Sequence, residues 1–129
     1  MPRLVVVAKN QEVVQDATAL AGPVFSDPIP MNGFDRVNVM WIVHYLWAFG
    51  GGGPTAMARY AAGMSNDRVN WTPVPGLTDS TTVPTGSTPR QVVVLVPAAF
   101  VRFRMNLIPS GTAVLGGAAM DLHVRLDHA

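Results

Sequence analysis

At 129 residues, with 49% hydrophobic and 13% charged side chains and a net charge of +1, the chain has the size that closes one hydrophobic core, and we expect a single domain over residues 1–129. Eight arginines and the single Lys9 are scattered from Arg3 to Arg125 without a run, which excludes the basic stripe of a nucleic-acid or anionic-membrane binder. The absence of cysteine removes disulfides, thiolate metal sites and cysteine nucleophiles together and leaves the redox compartment open.

The N-terminal apolar stretch is about five residues long, short of the roughly 7–15 of a secretory signal core. Leu4 to Lys9 reads as a Val-rich strand, with Glu12 to Val14 continuing it or pairing with it. Ala17 to Gly22 has a weak helical flavour, and Pro23 to Gly33, with three prolines, reads as a loop or irregular edge. From Val37 to Phe49 the sequence alternates. Val37, Val39, Trp41, Val43, Tyr45, Trp47 and Phe49 share one parity, and Asn38, Met40, Ile42, His44, Leu46 and Ala48 the other. The segment is shorter than the roughly 20 residues of a membrane helix, and we expect a strand whose aromatic face fills the core between two sheets. Gly50 to Pro54 and Thr55 to Met64 then read as a glycine-tipped hairpin.

Ser65 to Asn70 is a turn that hands over to a short strand, Trp71 to Val74, closed by Pro75-Gly76. Trp71, held between that turn and Pro73, is expected to anchor the core. Leu77 to Pro89 is a Ser/Thr/Pro/Gly loop of a length usually functional or packed on a partner, expected to tolerate shortening across residues 78–88. Arg90 to Val96 is a second Val-rich strand. Phe100 to Ile108 turns Val101, Phe103, Met105 and Leu107 one way and Arg102, Arg104 and Asn106 the other. Gly116-Gly117 loosens the chain, and Ala119 to Asp127 closes it with Leu122, Val124 and Leu126 inward. Seven to nine strands at roughly 8–12-residue spacing predict an all-β antiparallel sandwich or jelly roll.

Chemistry-bearing residues are sparse. His44, His123 and His128 form no ligand spacing beyond Asp121/His123 and Asp127/His128, which read as a solvated terminal strand, and His44 as a hydrogen-bonded buried or interface side chain. No nucleophile elbow accompanies the serines of the 78–88 loop. Asp27, Asp35, Asp67 and Asp79 sit at turns, where aspartate is expected on conformational grounds. The glycine run lacks the Lys-Ser/Thr of a phosphate loop. No catalytic residue, metal, cofactor or small-molecule substrate is therefore expected. Arg102, Arg104 and Arg125 are candidates for an anion or a partner's carboxylate, or for pairing with Asp121 or Asp127. Thr81 and Thr82 of the long loop are further candidate contacts. With few charges and a mean hydropathy of +0.27, association through strand faces and the runs Leu4–Val7 and Val92–Val96 is expected.

The segment Ser65-Asn66-Asp67-Arg68-Val69-Asn70-Trp71, followed by Val101-Arg102-Phe103-Arg104, resembles the "S-x-D-G-x-x-W" turn and "v-R-f/l" strand of discoidin-like sandwiches and of small β-sandwich proteins of tailed bacteriophages. Arg68 stands where glycine is usual. The resemblance spans about a third of the chain and speaks for topology more than activity. It implies a virion protein of capsid-decoration, head-auxiliary or tail-associated type, made in the bacterial cytoplasm and bound to copies of itself and to a major capsid or other virion protein. The alternative is a carbohydrate- or ligand-binding module using Asp67, Asn70 and Trp71.

Overall fold

The computed structural model describes residues 2–16, 24–50, 55–86, 88–110 and 113–129. Among these residues nine strands run in chain order: β1 (Arg3–Asp16), β2 (Val24–Phe25), β3 (Ile29–Pro30), β4 (Arg36–Gly50), β5 (Thr55–Ser65), β6 (Thr72–Thr81), β7 (Arg90–Leu95), β8 (Phe100–Ser110) and β9 (Ala113–Asp127). Sheet one has the order β1-β9-β4-β7; sheet two has the order β2-β8-β5-β6, with β3 also on β8. Every pairing is antiparallel. The all-β sandwich expected from the spacing of turn residues is the fold observed. The stretch read as weakly helical, Ala17 to Gly22, and the glycines 51–53 lie outside the described residues.

The core forms where the alternating patterns of the two sheets meet. Val37, Val39, Trp41 and Val43 of β4 and Leu122, Val124 and Leu126 of β9 are buried against Ala58 and Tyr60 of β5 and Val101, Phe103 and Met105 of β8. Each of the Val, Leu, Met and Phe side chains among them contributes about 1.5–3 kcal/mol by leaving water. Trp41 lies at the centre, edge-on to Tyr60 with centroids 5.1 Å apart, and its indole Nε1 donates to the Met120 sulfur at 3.3 Å. The Tyr60 hydroxyl is buried without a partner among the described residues, and burial pushes its ionisation well above the usual range.

Three expectations about β4, β5 and β6 fail for identifiable reasons. The alternation of β4 does not keep one face inward throughout. Val43 pairs with Met120 and Tyr45 with Ala119, so His44 is an extra residue, a bulge that exchanges the faces beyond it. Tyr45 and Trp47 therefore face solvent, while Leu46 and Ala48 pack on the core. Second, β4 and β5 do not form a hairpin, because they belong to different sheets. Among the described strands only β5 and β6 are consecutive and paired. Third, Leu77 to Thr81 is not loop but the second half of β6, with Leu77 fully buried.

The remaining loop is tied down. The Val43 N–H donates to Thr85 Oγ1 at 2.9 Å, and the Thr85 N–H donates to the Val43 carbonyl at 3.1 Å. Thr85 thus continues the β4 ladder beyond Trp41, where β7 pairing ends, so removing the whole loop orphans two backbone groups. Thr85→Ala is expected to lower the unfolding free energy by about 1–3 kcal/mol, the cost of a part-buried N–H left unsatisfied, as read by urea denaturation. An unchanged midpoint would return the loop to the freely shortened segment expected from sequence. At the same edge Arg90 joins the two sheets, donating to the Ser80 carbonyl at 2.8 Å and lying 3.6 Å from Asp79.

Candidate functional site

Because β8 turns Val101, Phe103, Met105 and Leu107 into the core, period two places Arg102, Arg104 and Asn106 on the outer face of sheet two. Opposite them on β5 stand Gly63, Ala61 and Arg59, in that order. The small residues Ala61 and Gly63 leave a trough between the arginine row and the edge strand β6. That strand bulges here: Ala61 faces Thr78 and Gly63 faces Pro73, so four residues, Val74 to Leu77, stand against Ala62 alone. Gly76, at φ +79°, makes the bend possible. The result is a groove of about 420 Å³ lined by Arg59, Arg102, Arg104, Phe25 and Trp71 and by the β6 wall.

The Arg102 guanidinium lies 4.6 Å from the centre of the Phe25 ring and 4.4 Å from that of Trp71. Cation–π contacts of this sort fix the side chain while leaving its in-plane donors available. Among the described residues no carboxylate lies within 4.0 Å of Arg59, Arg102 or Arg104. Among the described residues Arg104 Nε has no hydrogen-bond partner, and neither does the buried Asn106 Oδ1 further along β8. Trp71 is half-buried on this outer face, not in the core. The turn before it ends beside Gly63 rather than between the sheets, and the Trp71 Nε1 donates to the Arg68 carbonyl at 3.2 Å.

The turn itself is organised by Asp67. Its Oδ1 accepts from the N–H groups of Val69 and Asn70, both at 2.8 Å, and from Ser65 Oγ at 2.9 Å; its Oδ2 accepts from Asn70 Nδ2 at 2.8 Å. The Asn70 and Val69 backbone donors, aided by both side chains, hold the carboxyl far below its usual range. Arg68 adopts φ +63°, the left-handed conformation that explains why glycine is usual at this place in the similar turns. Asp67 and Asn70 thus spend their polar groups on the turn.

The other sequence candidates do not converge. Arg125 lies on sheet one, 3.2 Å from Asp127, which also pairs with Arg36; Arg36 and then Arg125 hold the Asp127 carboxyl low. Thr81 ends β6 and exchanges hydrogen bonds with Val83, whereas Thr82 is exposed beyond it. His44 is on the outer face of sheet one, its Nε2 3.0 Å from Asp121 Oδ1. Burial pulls the Asp121 carboxyl up, but the Asn10 N–H and His44 outweigh it and leave it low.

Sheet one presents a second surface. Leu4 and Val6 on β1, Met40 on β4 and Val93 and Leu95 on β7 point outward, with Leu4 79% and Leu95 61% exposed. Leu4, Val6 and Met40 border a hollow of about 210 Å³ whose lining includes Asn38, Gln91, His123 and Arg125. Tyr45 and Trp47 extend this face beyond the bulge. Arg59 and Phe25 of the groove escaped sequence reasoning. Nothing local marks Arg59 as the neighbour of a strand more than forty residues later, and Phe25 lies in a segment read as loop.

No protein-family model and no curated protein sequence matches the chain. Among solved structures, it is similar to the SPBc2 prophage-derived protein YomS, at TM-score 0.51 and 9% identity, over 98% of this chain and 94% of that one. It is similar also to VP2 of infectious bursal disease virus, in a structure of the VP2 subviral particle, at TM-score 0.55 and 14% identity. The chain shares its fold with prophage and viral sandwiches. The VP2 match takes in 98% of this chain but only 33% of VP2, so the chain corresponds to about a third of that protein. At these identities the likeness is one of fold.

Proposed function

We propose that the protein is a structural subunit of a phage or phage-like particle, a capsid-decoration, head-auxiliary or tail-associated protein, located in the particle and acting through protein–protein contacts with its own copies and with a major capsid or other virion protein. The observation that carries this reading is the outer face of sheet one, where Leu4, Val6, Met40, Val93 and Leu95 remain in water on a chain with few charges to cover it. Apolar side chains on the edge strands β1 and β7 flank a middle of Arg125, Asn38 and His123, a mixed surface of the kind that a subunit buries on assembly. The fold it shares with particle-forming VP2 and with a prophage protein supports the same reading. No turnover is required of it, and we propose no enzymatic activity.

Assembly through that face is driven by apolar burial, so self-association is expected to persist between about 0.05 M and about 1 M salt, where screening differs severalfold. Sedimentation velocity on the wild type and on Val93→Asp and Leu4→Asp is the test. Both substitutions are expected to dissociate the assembly. A wild type that is monomeric at all accessible concentrations and fails to bind particles would overturn the reading.

A further inference from the structure

The groove on sheet two has a chemistry that folding does not use. Three of the nine basic residues line it, yet none meets a carboxylate among the described residues, although acidic residues number eight against the six basic residues elsewhere. Arg102 and Arg104 stand on one strand face two residues apart, an arrangement that is repulsive unless an anion lies between or beside them. Among the described residues the buried Arg104 Nε has no acceptor, so folding leaves part of this guanidinium's hydrogen-bonding capacity unused. Arg102 is already immobilised by Phe25 and Trp71, so binding there costs little further side-chain entropy.

We propose that this groove docks an acidic segment of a partner polypeptide, whose side-chain carboxylates pair with Arg104 and Arg59 beside the fixed guanidinium of Arg102. The proposal rests on reading the chain as an assembly subunit. Guanidinium forks suit planar carboxylates held two oxygens at a time. Bases or sugar rings find no free stacking platform here, since Arg102 lies over both Phe25 and Trp71, and Trp71 lies against the backbone at Gly63. Added-strand pairing on β6 is obstructed, because Pro73 and Pro75 carry no N–H along that edge. Recognition therefore runs through side-chain charge, and three arginines without a longer basic stripe fit a short acidic segment better than a polyphosphate backbone.

The test uses the full chain and a fluorescently labelled oligoglutamate peptide, with oligoserine, polyphosphate and hyaluronate as comparison ligands. Oligoglutamate is expected to bind saturably at about 0.05 M salt and to weaken strongly at about 0.5 M. Arg104→Gln and Arg59→Gln are each expected to weaken it about tenfold or more, the worth of one charge-assisted pair. Arg104→Lys, which keeps charge without the fork, should fall between. Arg3→Gln removes the same charge from sheet one and should change affinity less than twofold. Thermal midpoints are measured alongside, and should Arg104→Gln unfold, Arg59→Gln carries the test. Equal loss with Arg3→Gln, no saturable binding, or tighter binding of polyphosphate or hyaluronate overturns the proposal. Sedimentation of the same samples separates the two ideas. Persistent self-association without peptide binding rejects the groove alone, whereas specific peptide binding by a strict monomer that attaches to no particle rejects the subunit reading and leaves the carboxylate site standing.

Discussion

Replacing Trp41 by alanine is expected to lower the unfolding free energy by about 3–5 kcal/mol, the range for an aromatic removed from a closed core. The indole is wholly buried between the sheets, packs edge-on against Tyr60 and donates to Met120. The cavity left by truncation is walled by strands of both sheets and cannot collapse without moving one sheet against the other. Trp71→Ala is expected to cost only about 1–2 kcal/mol, the sum of a cation–π contact and one hydrogen bond on a half-exposed face. Urea unfolding of the two variants, with m-values compared, measures the difference directly. Equal losses would mean that the assignment of core and surface tryptophans is wrong.

The second large effect is expected at Gly116. Reading the glycine pair 116–117 as a place where the chain loosens is corrected by the pairing: both residues sit within β9, hydrogen-bonded between β1 and β4. A Cβ at Gly116 would lie 2.7 Å from Leu107 Cδ2 and 3.3 Å from the Trp47 carbonyl oxygen, with Ala56 behind. Gly116→Val forces Leu107 aside and crowds backbone that cannot retreat, so a loss of about 1–3 kcal/mol is expected from overpacking. Leu107→Ala in the same chain should recover part of it, a coupling that a double-mutant cycle reads out. At Gly117 the obstacle is only the Trp47 indole, 2.5 Å from the added atom and 43% exposed. That ring can swing into water, and Gly117→Ala serves as the mild comparison.

These two sites mark where sequence reasoning reaches and where it stops. Period two placed Val101, Phe103, Met105 and Leu107 inward and Arg102 and Arg104 outward, because β8 runs without a bulge where it pairs with β5. In β4 the same rule holds to Val43 and then fails, since one extra residue at His44 leaves no compositional trace yet exchanges every later side chain. The glycine-ended alternation of β4 and β5 likewise suits a hairpin and a sheet-crossing connection equally well. Partnership across strands is decided by packing of the two sheets, which local pattern does not encode. The groove was half legible for that reason: its β8 wall follows from alternation, whereas Arg59, Phe25 and the bulged β6 wall are brought in by tertiary pairing alone.

The pairing of β9 has a consequence for how the protein is made. β9 is an inner strand of sheet one, bonded on one side to β1, where Arg3 meets Leu126, and on the other to β4. Among the described strands it also comes last in chain order. Sheet one cannot close until residues near Asp127 have left the ribosome, and until then β1 and β4 hold apolar edges without their common neighbour. Such long-range pairing places folding among the slow all-β cases, on the order of milliseconds to seconds. The nascent sheet is therefore most open to wrong partners in the interval before β9 inserts.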